Sequence, residues 1–387
     1  MVVSNWYTTL LTRGKAVKAY ALVVTVVGLW VFEADGYVNH TRKIIAEGFG
    51  KYEVLTSKND MSWPQFLAAH NYKKEDFQAL LVLPYFETGS EKLWLCSNEF
   101  LSATGLTMGI KASLQLRLPM VDVMMSRSGW SKAFKQAKTA GGPLVDKPML
   151  RELPSDKPFL LLNYDKDTLS PDQQYLLAAC DTIGHYSGSY VYACYPGRIK
   201  ANDKKYKDSV AALVSQLRVG DTCIGSRGSW YINHFDGDKA PQHFFGAGAR
   251  GYQNIDSTLL ETIALKPASD HQWYEFSCWF LLPASDYKSP SFLLVWLDKS
   301  GNELGRYETY TKESTDNSGM WFRNQYYFAM PAGCTAIRCW LKNIPADSYL
   351  AMDELMLRPA DALIVSKMVA GEVMVNNHLF KANSISK

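Results

Sequence analysis

In residues 335–341 apolar and polar side chains alternate, so Ile337, Cys339 and Leu341 share one face of a strand while Arg338, Trp340 and Lys342 take the other. The pattern predicts an outward Trp beside a guanidinium. A pyranose offers an apolar C–H face to an aromatic ring and hydroxyls to planar donors and acceptors, so this pair suits ring stacking on a sugar. Trp273, Trp296 and Arg323 join Trp340 and Arg338 as carbohydrate-binding candidates, although a Trp taken singly is more often core than platform.

Acid–base chemistry has four candidates in the first half of the chain. Glu87 and Glu91 follow an apolar run at a strand end, Asp122 sits inside the run LPMVDVMM, and His185 lies between Gly184 and Gly188. A carboxylate inside an apolar strand must be paired or point into a cleft. Glutamates four apart in a loop are commonly solvated and a loop histidine commonly holds a hydrogen bond, so only convergence in one pocket would make these residues an enzyme's. No G-x-S-x-G elbow, Walker loop or G-x-G-x-x-G follows a strand. The seven cysteines contain no C-x-x-C pair, which leaves neither a zinc knuckle nor a redox motif, and their odd number leaves at least one thiol unpaired. With 41 basic and 38 acidic residues the net charge is only +3, so nothing calls for nucleic acid.

The elements that must position these residues fall into distinct stretches. Residues 19–32, AYALVVTVVGLWVF, carry no charge, with Arg13, Lys15 and Lys18 before them and Glu33 and Asp35 after. A transmembrane helix, a signal peptide and a buried core helix are the three readings. The first is preferred, because no A-x-A cleavage site and no polar stripe is present. The charge bias places the N-terminus in the cytoplasm and the body of the chain outside it. The apolar run at 6–11 reads as the tail of an earlier membrane helix, which would make the chain part of a longer polytopic protein.

Residues 36–227 alternate short apolar runs (79–85, 118–125, 159–164, 190–195) with helical patterns, including helices opened by Ser62 and by Ser170-Pro171. After Gly228 the period changes to two, with strands at 273–282, 292–297, 335–341 and 349–357. The chain thus reads as multi-domain: an N-terminal transmembrane helix (1–35), an α/β middle domain (36–227), an all-β sandwich (228–360) and a C-terminal tail (361–387).

Two resemblances bear on function. The phrases LPYFETGSE and LPMVDVMMSRSGW, after a basic-flanked membrane segment, resemble the extracytoplasmic part of bacterial multi-spanning proteins of the lipid-linked-sugar glycosyltransferase or YfhO-like type. The catalytic acids of such transferases belong to an early loop with no counterpart here, so no residue is carried over. Residues 228–359 resemble carbohydrate-binding and galactose-binding-like jelly rolls through Asn233-His234-Phe235-Asp236, WYEFSCWFLL, VWLDKSGNEL, MWFRNQYYFAMPAG and YLAMDELMLRP. This second resemblance implies a jelly-roll module and a structural calcium held by Asp236 and Asp353, since hard oxygen ligands suit that ion. The expected function is that of a membrane-anchored, extracytoplasmic portion of a protein handling cell-surface polysaccharide, with a non-catalytic sandwich that binds a glycan or a partner. The alternatives are an α/β enzyme acting on glycans, with the sandwich as its targeting module, and a sandwich that serves only as packing for the middle domain.

Overall fold

The computed structural model divides into two compact units, Met1–Asp60 and Met61–Lys387. It describes residues 62–85, 87–90, 93–94, 103–121, 123–124, 130–164, 169–225, 228–266, 272–281, 291–310, 316–368 and 371–380, together with 20, 23–32, 34–35 and 38–39 of the first unit. In that unit residues 23–32 are helical and exposed throughout, Trp30 at 68% and Phe32 at 81%. Among the described residues no helix is long and apolar enough to cross a membrane. The expected spanning helix is therefore not borne out among the described residues. Ala19, Ala21 and Leu22 of the expected span lie outside the described residues.

The second unit opens with α1 (Trp63–Ala69), started as expected by Ser62, whose hydroxyl accepts from the Gln65 N–H while the Gln65 amide oxygen accepts from the Ser62 N–H. Strand β1 (Ala79–Leu83) leads to a small sheet of β2 (Glu87–Ser90), β3 (Leu93–Trp94) and β4 (Val123–Met124), with α2 (Ala103–Leu116) between the last two. There follow α3 (Trp130–Ala137), α4 (Pro148–Arg151), β5 (Phe159–Tyr164), α5 (Pro171–Leu177), β6 (Cys180–Tyr186), β7 (Ser189–Cys194) and α6 (Pro196–Gln216). The main sheet runs β1-β5-β7-β6. β1 and β5 are parallel and buried on both faces, as their continuous apolar runs require, whereas β7 and β6 are antiparallel additions that make the sheet mixed.

The β-rich part comprises β8 (Gly220–Ile224), β9 (Tyr231–Asn233), β10 (Arg250–Ala264), β11 (Trp273–Leu281), β12 (Ser291–Leu297), β13 (Glu303–Tyr310), β14 (Asp316–Ser318), β15 (Trp321–Ala329) and β16 (Ala336–Pro359). β16 serves two layers. Its first half pairs with β12 and the end of β10, and its second half pairs with β11, β9 and the start of β10. Phe292 of one layer meets Phe276 and Phe280 of the other, ring centroids 4.9 and 5.0 Å apart, so the layers close on each other as a β-sandwich.

The expected tail is a further piece of sheet. β17 (Leu363–Lys367), β18 (Val373–Val375) and β19 (His378–Leu379) join β8 in the order β19-β18-β17-β8, and Val365, Val373 and Val375 pack on Val210 and Val214 of α6. Chain separation at residue 228 does not become spatial separation either. Leu81 and Phe159 belong to the same core as Phe276 and Leu357, Phe134 of α3 stacks on Phe322 at 5.1 Å, and Lys138 reaches the Asp316 carboxylate at 3.2 Å and the Asn317 carbonyl at 2.7 Å.

One buried charge organises this assembly. Glu275 in β11 is fully buried, with one carboxylate oxygen accepting from Arg323 and the other from Arg358. Burial alone would raise its carboxyl, but the guanidiniums of Arg358 and Arg323 hold it below the usual glutamate range. Arg358 also donates to the carbonyls of Pro359, Ala360 and Ala362, and Arg323 donates to that of Asn376 at 3.1 Å. Arg323, expected as a sugar donor, is therefore an internal cation, 1% exposed, with both terminal nitrogens turned to protein acceptors. Replacing Glu275 by Gln leaves two buried guanidiniums without their counter-charge and should cost about 3–5 kcal/mol, read as a lower urea midpoint. The solvent-exposed ion-pair variant Glu303→Gln should leave the urea midpoint nearly unchanged.

Candidate functional site

A cleft of about 430 Å³ lies where β11, β12, β13 and β15 meet the residues after β1, the end of α3 and the first turn of α5. Period two in the strands brings its aromatic wall together. Trp296 stands opposite Gly305, where an added Cβ would sit 3.5 Å from the indole, so the ring lies over bare backbone. Tyr307 of β13 and Tyr326 of β15 lie face to face, centroids 3.7 Å apart and planes within 3° of parallel, and Phe328 continues the wall at 5.7 Å from Tyr326. Trp273, at the start of β11, is 38% exposed at the rim. Trp296 is 8% exposed, and its indole N–H has no hydrogen-bond partner.

The polar groups lie on the other face of β15, where Gln325 and Tyr327 alternate with Tyr326 and Phe328. Ser170 caps α5 by accepting from the Gln173 N–H at 3.3 Å, which fixes Asp172 in the first turn. Asp172 accepts from the Gln325 amide at 2.9 Å and from the Tyr327 hydroxyl at 3.3 Å, and Gln325 in turn accepts from Arg323. Burial first, then the Asp172 charge, pushes the Tyr327 phenol well above its usual range, so that it remains a donor. Flat apolar rings beside a carboxylate and an amide are what the two sides of a pyranose require. Asp172 is the one carboxylate among the described lining residues, whereas glycoside hydrolysis by the usual route needs two.

The five residues proposed from sequence for sugar binding do not form one site. Trp273 and Trp296 line the cleft, and Arg323 is buried behind it. Trp340 and Arg338 face outward as the alternation requires, half-buried and exposed respectively, with Ile337, Cys339 and Leu341 at 0%. Trp296 pairs with Ile337 and Leu293 with Trp340, so the two indoles occupy opposite faces of the same layer. On the outer face Trp340 is flanked by Leu259 and Leu293.

The two described acid–base candidates lie in different sheets. His185 is exposed on the edge strand β6, its ring edge-on to Tyr190, Glu87 belongs to β2 in a different sheet, and Glu91 and Asp122 lie outside the described residues. The suggested calcium ligands hold backbone instead. Asp353 is fully buried and accepts from the N–H groups of Phe244, Phe245 and Glu354, while Asp236 accepts from Ala247 at 2.6 Å. Burial and the neighbouring Glu354 push the Asp353 carboxyl up to about 8 despite those three donors. Among the described residues no group of three or more His, Cys, Asp or Glu side chains could hold a metal.

No family model and no curated protein matches the chain. Among solved structures it is similar to the enzymatically active domain of a bacteriophage CBA120 tailspike protein (9% identity, TM-score 0.24, covering 36% of this chain and 19% of that one). It is similar also to a family 16 carbohydrate-binding module (14%, 0.24, covering 30% and 79%) and to a xylan-binding domain from Paenibacillus barcinonensis (14%, 0.22, covering 37% and 86%). The chain thus spans about a fifth of the tailspike domain's length. Likeness at these scores does not carry function from those proteins to this one.

A second cluster, absent from the expectations, lies at the junction of β8, β9 and β16. His234 places one ring nitrogen 2.8 Å from Glu354 and the other 3.1 Å from Asp221. Burial opposes its charge, but the two carboxylates outweigh that and raise it to about 10, so both nitrogens donate. A folded-state value above the unfolded one means that the pairing stabilises fully below about pH 6.5 and fades as pH rises through 10. Urea midpoints of the wild type and His234→Gln should differ most at pH 6 and converge towards pH 10. A gap independent of pH would show that His234 acts through packing alone.

Proposed function

We propose that the chain binds a glycan, with the aromatic cleft between the sandwich and the α/β part as its seat, and that it is a non-catalytic portion of a protein handling extracytoplasmic polysaccharide. The parallel Tyr307–Tyr326 stack on one face of β15, and the Asp172–Gln325 pair with Trp273 on the other, line one cleft around that strand, and their conjunction carries this reading. The cleft joins aromatic side chains to directional polar groups, and its volume is within the size range of small-ligand sites. The apolar, exposed helical residues 23–32, with basic residues before them and acidic residues after, support attachment to a membrane on the cytoplasmic side of the chain's body. The enzyme alternative gains no support from His185 and Glu87, which sit in separate sheets.

A second reading has its own observation. The outer-face row of Leu259, Trp340 and Leu293, with Arg338 exposed beside it, is a second platform, with Leu259 44% exposed. A glycan-array screen of the chain followed by titration separates the two. Trp273→Ala and Tyr307→Ala should each weaken the best hit about tenfold, or roughly 1.4 kcal/mol, with little change in melting temperature for the exposed Trp273. Loss of binding with Trp340→Ala alone would move the site to the outer face, and an array without hits for the wild type would end the glycan reading.

A further inference from the structure

The β6–β7 hairpin sets two thiols side by side. Cys180 stands directly opposite Cys194 in the register. One step outward, the Tyr195 N–H donates to the Ala179 carbonyl at 3.4 Å, which makes 179 and 195 a hydrogen-bonded pair and leaves 180 and 194 as the non-hydrogen-bonded kind. In that kind the Cα atoms come within about 4.5 Å and the side chains are closest, inside the span of about 4.4–6.8 Å that a disulfide bridges. The thiols meet side chain to side chain, and that contact together with burial pushes the Cys194 thiol up. Cys194 is fully buried whereas Cys180 is partly exposed on the edge strand, so only the latter is open to a reagent. Cys223, Cys278 and Cys339, on other strands, have no cysteine as register partner.

We propose that Cys180 and Cys194 form a dithiol–disulfide site, closed by a small-molecule or protein disulfide and reopened by a thiol. Cys180, as its thiolate, attacks one sulfur of the oxidant's disulfide and displaces the first oxidant thiolate, which takes up the proton Cys180 has lost. Cys194 then loses its proton and attacks the Cys180 sulfur, displacing the second oxidant thiolate, which is protonated in turn. Two protein thiols become one disulfide, one oxidant disulfide becomes two thiols, and two electrons pass between them. The bridge staples edge strand β6 to β7 and shortens the free loop of the unfolded chain, so oxidation raises stability.

The test uses the full chain incubated with glutathione disulfide or with dithiothreitol, alkylated under denaturing conditions and mapped by mass spectrometry. Oxidised wild type should yield one peptide pair joined through Cys180 and Cys194, two fewer alkylated thiols and a higher melting temperature than the reduced form. Cys180→Ser, at a partly exposed position, should melt like reduced wild type and gain nothing from oxidant. Two alkylated thiols at these positions after oxidation would overturn the assignment. So would a glutathione adduct on Cys180 that Cys194 never resolves, or a bridge from Cys180 to another cysteine.

Discussion

Glu275, near the start of β11, is fully buried, and a buried carboxylate survives only if positive charge is brought to it. The two guanidiniums that answer this demand come from different strands, Arg323 from β15 and Arg358 from the end of β16. Each then binds something further. Arg358 gathers the carbonyls that lead into β17, and Arg323 holds the hairpin between β18 and β19 through Asn376 while orienting Gln325 towards Asp172. The terminal strands, the sandwich and the polar wall of the cleft are therefore referred to one ionised group. The geometry of the cleft is inherited from it rather than set locally.

Much of this was legible in the sequence where a local rule sufficed. Ser62 and Ser170 announce their helices because a capping box is complete within four residues. The outward turn of Trp340 follows from strict alternation between two buried neighbours. Trp296 was not assignable in the same way, because 292–297 is apolar at every position and period two then has no phase. The burial of Arg323 depends on Glu275, 48 residues away, and nothing adjacent to it marks the pairing. Ser187 and Gly188, at φ of 55° and 76°, do carry a local signal for the tight β6–β7 turn, one that the reading of His185 as a loop residue passed over.

The sharing of one core by the α/β part and the sandwich changes what a binding site here can be. An isolated jelly roll would have to find its sugar platform on its own faces. In this chain α3 and α5 close one side of the aromatic wall, and Asp172 supplies the carboxylate that the β-strands lack at that position. The packing alternative is thus met in part, since Phe134 covers Phe322 and Lys138 reaches Asp316, yet the cover stops short of the Tyr307–Tyr326 stack.

The pairing of β8 with β17 has a consequence for synthesis. Ile224 meets Leu363, about 140 residues further along, so β8 leaves the ribosome long before its partner exists. At typical elongation rates of about 5–20 residues per second that interval is on the order of 10 seconds, during which a strand edge and the apolar side of α6 stay uncovered. A shorter delay, of 83 residues, applies to Glu275, which waits for Arg358. The nascent chain thus passes through a stage in which a sheet edge and a carboxylate both lack their partners, and its need for protection from aggregation lasts until Arg358 and β17 have emerged.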